Sequence, residues 1–449
     1  MAKRFVLDTN ILLAFPHCIM EDFDDNTVII CGTVIQELDK KKTAEGEIGY
    51  NAREAGRLLE KLRLQGDLLK GVQRKCGGTL LIEPDGVKQE YLPAGFSIDV
   101  PDNRIISSCI HLNRQNPSES PVILVTSDVW MRIAASACGI ETQDFRKVMV
   151  QDTGYTGHIR KECDWEMIDR IYKEKELEVC DEDLLENEFV TLYSGNLSAP
   201  TVYRHGKLQL IGEQKLFGWV QPKNIMQTYM MWALAQPAEE IPLVILEGPA
   251  GSAKTFLSIA AGMDGTYTSQ RRRDNMYDKI LLTRPVAHAF DGEQGTGYLP
   301  GTLEEKLHYL YQSYYDNLED LLKSGVKEDS NQIKTQMQDL FMDGIVEVGT
   351  LSSIRGRSLK YTYMICDEAQ NASRTLVRDI ITRPGDGTKI ILAGDPSQID
   401  VPELSAKNNG LVTAASCMAG SSLCAYLKLD KESVVRSALA REAIERMRW

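Results

Sequence analysis

The run Leu243-Val244-Ile245-Leu246 is β-branched and apolar, and it enters the small-residue stretch Glu247-Gly248-Pro249-Ala250-Gly251-Ser252-Ala253. Lys254-Thr255 follows, and then an Ala/Leu-rich segment with helical character from Phe256 to Met263. Strand, tight loop and helix in that order make a phosphate-binding loop. Small residues let backbone N–H groups turn inward around an anion, and the helix aims its positive end at the same place. Gly248, Pro249, Ala250, Gly251, Ser252 and Ala253 would form the cradle. Lys254 would reach the β- and γ-phosphates of a nucleotide, and the Thr255 hydroxyl would hold Mg²⁺. One position departs from G-x-x-x-x-G-K-[ST]: Ala253 stands where the last glycine belongs. A methyl group there predicts a negative φ and some loss of affinity.

At 449 residues the chain has room for two or three domains, each with its own core. No apolar run approaches the ~18 residues needed to cross a bilayer. The start, Met1 to Asp8, carries two basic residues and no hydrophobic signal region. The ten cysteines are scattered without a Cys-x-x-Cys pair, which disfavours a zinc site or a disulfide framework. A reduced, cytoplasmic protein is expected. A net charge of −13 argues against coating nucleic acid with the whole surface, while leaving room for a basic channel.

Residues 1–150 read as one α/β domain. Lys3 to Leu7 is a short buried strand that delivers Asp8 at its end, and Val122 to Val125 leads to Asp128 in the same way. Glu37 and Asp102 sit at the edges of further elements, Asp102 in the first turn of a helix that begins at Pro101. Carboxylates converging at the C-terminal edge of one sheet repel one another unless cations neutralise them. Mg²⁺ or Mn²⁺, which prefer oxygen ligands, would do so and would suit phosphodiester hydrolysis. Taken singly, each acid reads as well as a helix cap. The segments Leu7-Asp8-Thr9-Asn10, Glu37-Leu38-Asp39, Asp102-Asn103-Arg104-Ile105 and Val125-Thr126-Ser127-Asp128 together resemble a PIN-domain nuclease over residues 3–147. That resemblance implies metal binding by Asp8, Glu37, Asp102 and Asp128, cleavage of single-stranded RNA, and supporting roles for Asn10 and Thr126 or Ser127.

Residues 151–215 read as a small β-rich connector. An acidic helix from Trp165 to about Glu178 precedes three alternating runs, Glu188 to Tyr193, Pro200 to Arg204 and Lys207 to Ile211, separated by Ser-Gly-Asn and His-Gly turns. Tyr193, Tyr203 and Arg204 suit base stacking and phosphate contact; a purely structural linker fits equally well.

Residues 216–449 surround the phosphate loop. Gln227 lies where an amide can read an adenine edge, since it donates and accepts at once. Lys279 to Pro285 is a strand followed by a Gly-rich loop, Asp291 to Gly301. Tyr361 to Cys366 is a strand ending in Asp367-Glu368, the Walker B pattern, with Asp367 on Mg²⁺ and Glu368 on the attacking water. Lys389 to Gly394 delivers Asp395-Pro396-Ser397-Gln398, and Gln398 would sense the γ-phosphate. Arg355, Arg357 and Arg436 are candidate charge-stabilising fingers. Asp-Glu-Ala-Gln-Asn, Gly-Asp-Pro-Ser-Gln and Arg-Gly-Arg resemble the PhoH family, and the whole chain resembles a PIN–PhoH fusion. The resemblance implies an α/β chain with a RecA-like P-loop domain, ATP-dependent RNA unwinding coupled to RNA cleavage, and a homo-oligomeric ring of six. A single ATPase core fits a site completed by a neighbour's Arg436 or Arg355. The rival readings are a nucleotide-regulated RNA-binding protein whose nuclease half is inactive, and an ATPase acting on protein partners.

Overall fold

The computed structural model describes residues 3–44, 46–84, 86–115, 120–145, 154–179, 181, 183–268, 276–285, 311–323, 330–354, 359–401, 404–430 and 442. Two compact units divide the chain, Met1–Gln151 and Asp152–Trp449.

In the first unit, β1 (Arg4–Leu7), β2 (Thr27–Cys31), β3 (Val72–Gln73), β4 (Thr79–Glu83), β5 (Val122–Val125) and β6 (Glu141–Gln143) form one sheet in the order β3-β4-β2-β1-β5-β6. All pairs are parallel except β3 with β4. The central strands β1 and β5 are buried along their whole length, which is why they read as unbroken apolar runs rather than alternating ones. Helices Gly32–Lys41, Gly46–Arg63, Pro101–Gln115 and Val129–Ala137 complete the layers.

The second unit holds two sheets. The smaller comprises β7 (His158–Glu162), β8 (Glu176–Glu178), β9 (Phe189–Ser194), β10 (Leu197–Arg204) and β11 (Lys207–Leu210), in the order β7-β9-β10-β11-β8. Helix Trp165–Glu174 covers one face through Ile168 and Ile171, packed with Val190, Leu192 and Leu208. That helix stops short of the expected Glu178 because Lys175 turns left-handed at φ 69, and the next three residues join the sheet as β8. From the opposite face Phe189 stacks on Tyr229 of helix Ile225–Ala235 at 4.7 Å.

The larger sheet comprises β12 (Leu243–Glu247), β13 (Lys279–Arg284), β14 (Val346–Thr350), β15 (Thr362–Cys366), β16 (Lys389–Gly394) and β17 (Cys424–Lys428), in the order β14-β13-β15-β16-β12-β17. All five pairings are parallel. Apolar clusters pack both faces. An all-parallel sheet brings every strand's carboxyl end to one edge, where open α/β sheets form their sites. Among the described residues, no helix is long and apolar enough to cross a membrane.

One of the connector residues read as an RNA contact is committed elsewhere. Arg204 is buried, paired with Glu240 at 2.8 Å and held over the Trp232 ring at 5.8 Å. Tyr203 packs against the small sheet's core. Tyr193 and Tyr203 both stay partly open, Tyr193 beneath the Arg160 guanidinium at 5.0 Å. A sequence pattern marks a residue as aromatic or basic but does not tell which face of a strand it occupies.

Candidate functional site

In the first unit the acids gather around the ends of β1 and β5. Asp8 caps the helix Thr9–Ala14, accepting the Thr9 N–H at 2.6 Å, while its other oxygen accepts the Thr126 hydroxyl at 2.6 Å. Thr126 is held in turn by the Asn10 amide at 3.0 Å and accepts the Asp128 N–H at 3.1 Å. Asp128 caps the helix Val129–Ala137 through the N–H groups of Trp130 and Met131. Glu37, on helix Gly32–Lys41, accepts the Thr9 hydroxyl. Asp8 and Asp128 therefore follow neighbouring parallel strands and cap the helices that begin there.

Burial, with the carboxylates of Asp102 and Glu37 nearby, raises the pKa of Asp8 from 3.8 to about 7 despite its hydrogen bonds from Thr126 and Thr9. Asp102 is raised as well, by burial and then by Asp128 and Glu37. Asp8 thus feels Asp102 and Glu37, and Asp102 feels Asp128 and Glu37. Among the described residues, however, no three His, Cys, Asp or Glu side chains close into a ready-made ligand shell. A hard divalent cation suits this donor set: every ligand is an oxygen, and an uncompensated carboxylate at the end of β1 is the charge such an ion would relieve.

In the second unit a cleft of about 230 Å³ lies at the carboxyl edge of the large sheet, lined by Gly251, Lys254, Thr255, Asp367, Glu368 and Gln398 among others. The Thr255 hydroxyl donates to Asp367 at 2.7 Å, joining the loop after β12 to the end of β15. Lys254 Nζ donates to the carbonyls of Gly248 at 2.6 Å and Pro249 at 3.0 Å and to the Ser252 hydroxyl at 3.2 Å. Ala250 lines the cleft alongside them. Burial raises the Asp367 pKa, helped by Glu368 and opposed by Thr255 and Lys254.

Ala253 overturns the expectation of a negative φ: it sits at φ 66, ψ 19, in the left-handed region a glycine would occupy. The loop is pinned on both sides. A Cβ on Gly248 would lie 2.6 Å from Leu429 Cβ, and Lys254 ties down the carbonyls before it. In that conformation alanine bears about 1–2 kcal/mol of strain relative to a right-handed backbone.

Gln398 Nε2 donates to Asp395 at 3.1 Å on the rim of the cleft. Gln227 is buried in the first turn of helix Ile225–Ala235, its Oε1 accepting the Lys223 N–H at 2.9 Å, and is not among the residues lining the phosphate cleft. Sequence reasoning missed Asn317, which lines the cleft from helix Gln312–Lys323, and Phe256 beside Thr255. A lone asparagine on a surface helix gives no motif by which to find it. Arg355, Arg357 and Arg436, and the Gly-rich loop Asp291 to Gly301, lie outside the described residues.

A strand-end acid cluster on an α/β sheet, followed by a phosphate loop with its Asp-Glu partner on a parallel sheet, defines a PIN-like domain joined to a P-loop domain. Residues 219–448 match the family model described as PhoH-like protein, and residues 5–146 match the PIN domain. Protein PhoH2 of Bacillus subtilis (strain 168) is 35% identical, covering 99% of this chain and 100% of that protein. Protein PhoH2 of Mycolicibacterium smegmatis is 29% identical over 99% of this chain and 97% of its own length. A shorter PhoH-like protein of Bacillus subtilis (strain 168) is 36% identical over 45% of this chain and 57% of its own length. The chain belongs to the PhoH family, in the form that carries a PIN domain at its N-terminus.

Proposed function

We propose that the protein is an ATP-driven RNA helicase or translocase joined to a divalent-metal-dependent ribonuclease that cuts single strands. The observation that carries the reading is the 2.7 Å hydrogen bond between Thr255 and Asp367, which assembles the two halves of a nucleotide site at one sheet edge. Lys254 would bind the β- and γ-phosphates of ATP, and Glu368 would orient the attacking water. Mg²⁺ held between Thr255 and Asp367 would neutralise phosphate charge.

At the other site Asp8, Glu37, Asp102 and Asp128 would hold Mg²⁺ or Mn²⁺, which would supply an acidified water and charge neutralisation for phosphodiester cleavage. Thr126 and Asn10 keep Asp8 and Asp128 in register. Trp130, 79% exposed and next but one to Asp128, supports a single strand as substrate, because an open indole is a platform for an unstacked base. The reading includes a homo-oligomeric, six-membered ring with Arg436 or Arg355 acting across subunits, and a cytoplasmic location.

Phosphodiester hydrolysis is downhill and draws nothing from ATP. ATP matters where duplex blocks access, since stacking resists by about 1–2 kcal/mol per step. The test is a comparison of Lys254→Ala and Asp8→Asn on two RNAs, one unstructured and one with its cut site inside a duplex beside a single-stranded tail. Lys254→Ala should cut the first and fail on the second, whereas Asp8→Asn should separate strands without cutting either. Equal loss of cleavage on both RNAs in Lys254→Ala would replace this feeding scheme with direct gating of the nuclease by nucleotide.

A further inference from the structure

Between the Asp-Glu pair and the turn that follows β16 lies a side chain with no role so far. Gln370 is fully buried in the short turn Ala369–Asn371. Its Nε2 donates to the Glu368 carboxylate at 2.6 Å and to the Gln398 carbonyl at 2.8 Å, and its Oε1 accepts the Asp395 N–H at 3.0 Å. A primary amide has two donor hydrogens, and here one is spent on each motif.

The fit is close enough to constrain a neighbour. A Cβ on Gly394 would stand 2.3 Å from Gln370 Oε1, so a larger residue before Asp395 would displace the Gln370 amide. Asn371 repeats the arrangement one residue on: its Nδ2 donates to Asp400 Oδ2 at 3.2 Å and its Oδ1 accepts the Asp400 N–H at 2.8 Å. Two consecutive amides therefore grip the Asp395–Asp400 turn at both ends. The turn is braced internally, with Ser397 Oγ and Gln398 Nε2 both donating to Asp395.

Glu368 itself sits at φ 54, ψ 33, a conformation a non-glycine residue keeps only where its surroundings over-determine it. The bond from Gln370 is one of those restraints.

We propose that Gln370, seconded by Asn371, is a positioning residue that couples Glu368 to the Asp395–Asp400 turn, so that displacing the turn moves the carboxylate that orients the hydrolytic water. The proposal rests on the ATPase reading above. It makes this turn, whose Asp395 and Gln398 line the cleft, a point from which a bound strand sets the hydrolysis rate.

The experiment uses the full chain and measures ATP turnover with and without single-stranded RNA, together with calorimetric affinity for a non-hydrolysable ATP analogue. Gln370→Glu places an acceptor where Glu368 and the Gln398 carbonyl need a donor. It should lower kcat on the order of 100-fold, the cost of a misplaced reacting group, while analogue affinity stays within about 3-fold. Relative to wild type its kcat should recover as pH falls, because a protonated acid regains one O–H donor. Gln370→Leu should lose as much and show no such recovery.

Asn371→Asp should blunt stimulation by RNA, and adding Asp400→Asn, which restores one donor to the pair, should bring it back. This second pair keeps the test decisive should the Gln370 variants fold poorly. Wild-type kcat in Gln370→Glu, a parallel fall of affinity and kcat, or failure of the Asn371/Asp400 exchange would each overturn the coupling. A wild-type chain that hydrolyses no ATP would instead sink the ATPase reading beneath it.

Discussion

Asp8 and Asp367 each close a buried parallel strand, and each accepts a threonine hydroxyl, from Thr126 at 2.6 Å and Thr255 at 2.7 Å. Burial raises the pKa of both. Their neighbours differ. Asp8 faces two further acids, Asp102 and Glu37, whereas Asp367 faces one acid, Glu368, and the cation of Lys254. One site gathers acids and holds its buried aspartate toward the protonated form; the other sets a lysine cation from the adjoining loop beside its acids. The same strand-end geometry therefore leaves one aspartate among acids and sets the other beside a cation.

Removing the built-in cation is the strongest way to break that contrast. Lys254→Ala should lower ATP turnover on the order of 10²–10³-fold, read by a phosphate-release assay, and leave cleavage of an unstructured RNA within about 2-fold of wild type. Neutralising the acid that lacks a cation comes next. Asp8→Asn should lower RNA cleavage by about 100-fold in a gel assay with Mg²⁺ or Mn²⁺.

The same Asp8→Asn change sharpens the contrast in stability. In chelator the variant should be more stable than wild type by about 1–2 kcal/mol, because a repelled, buried charge has gone. Calorimetry should show Mg²⁺ or Mn²⁺ stabilising wild type and not the variant. A chelator-insensitive wild type would mean the four acids balance without an ion. Gln398→Ala, which removes one of the hydrogen bonds on Asp395 and leaves those from Ser397, should lower ATP turnover by only about 10-fold with little change in analogue affinity. Smallest of all, Ala253→Gly should raise the stability of the second unit by about 0.5–1 kcal/mol, measured by denaturant titration, by removing left-handed strain.

Much of the frame is legible in the chain because parallel strands buried on both faces must be continuous apolar runs. Thr27–Cys31 and Val122–Val125 stand out for that reason, and the acids that end such runs fall at the site edge by topology alone. β14 and β17 give no comparable mark. Val346-Glu347-Val348-Gly349-Thr350 alternates like a half-exposed strand, since it forms the sheet's edge, and Cys424–Lys428 ends in no catalytic acid. The left-handed φ at Ala253 could not be read from the alanine itself, because an L side chain favours negative φ. Asn317 and the burial of Arg204 are set by packing partners distant in sequence.

The buried Asn187 carries a consequence for how the second unit comes apart. Its amide donates to the carbonyls of Ser421, Ser422 and Cys424 at 3.1, 3.0 and 3.2 Å, tying the start of β9 to the start of β17. Thr191 adds a 2.6 Å bond to the Tyr229 hydroxyl, and Phe189 and Val202 belong to the same apolar cluster as Val244 and Leu246 of β12. The five-stranded sheet therefore shares its interior with the strand that carries the phosphate loop, and melting one exposes the other. Heat should dissolve residues 154–430 in one cooperative transition, with the small sheet lacking a melting point of its own.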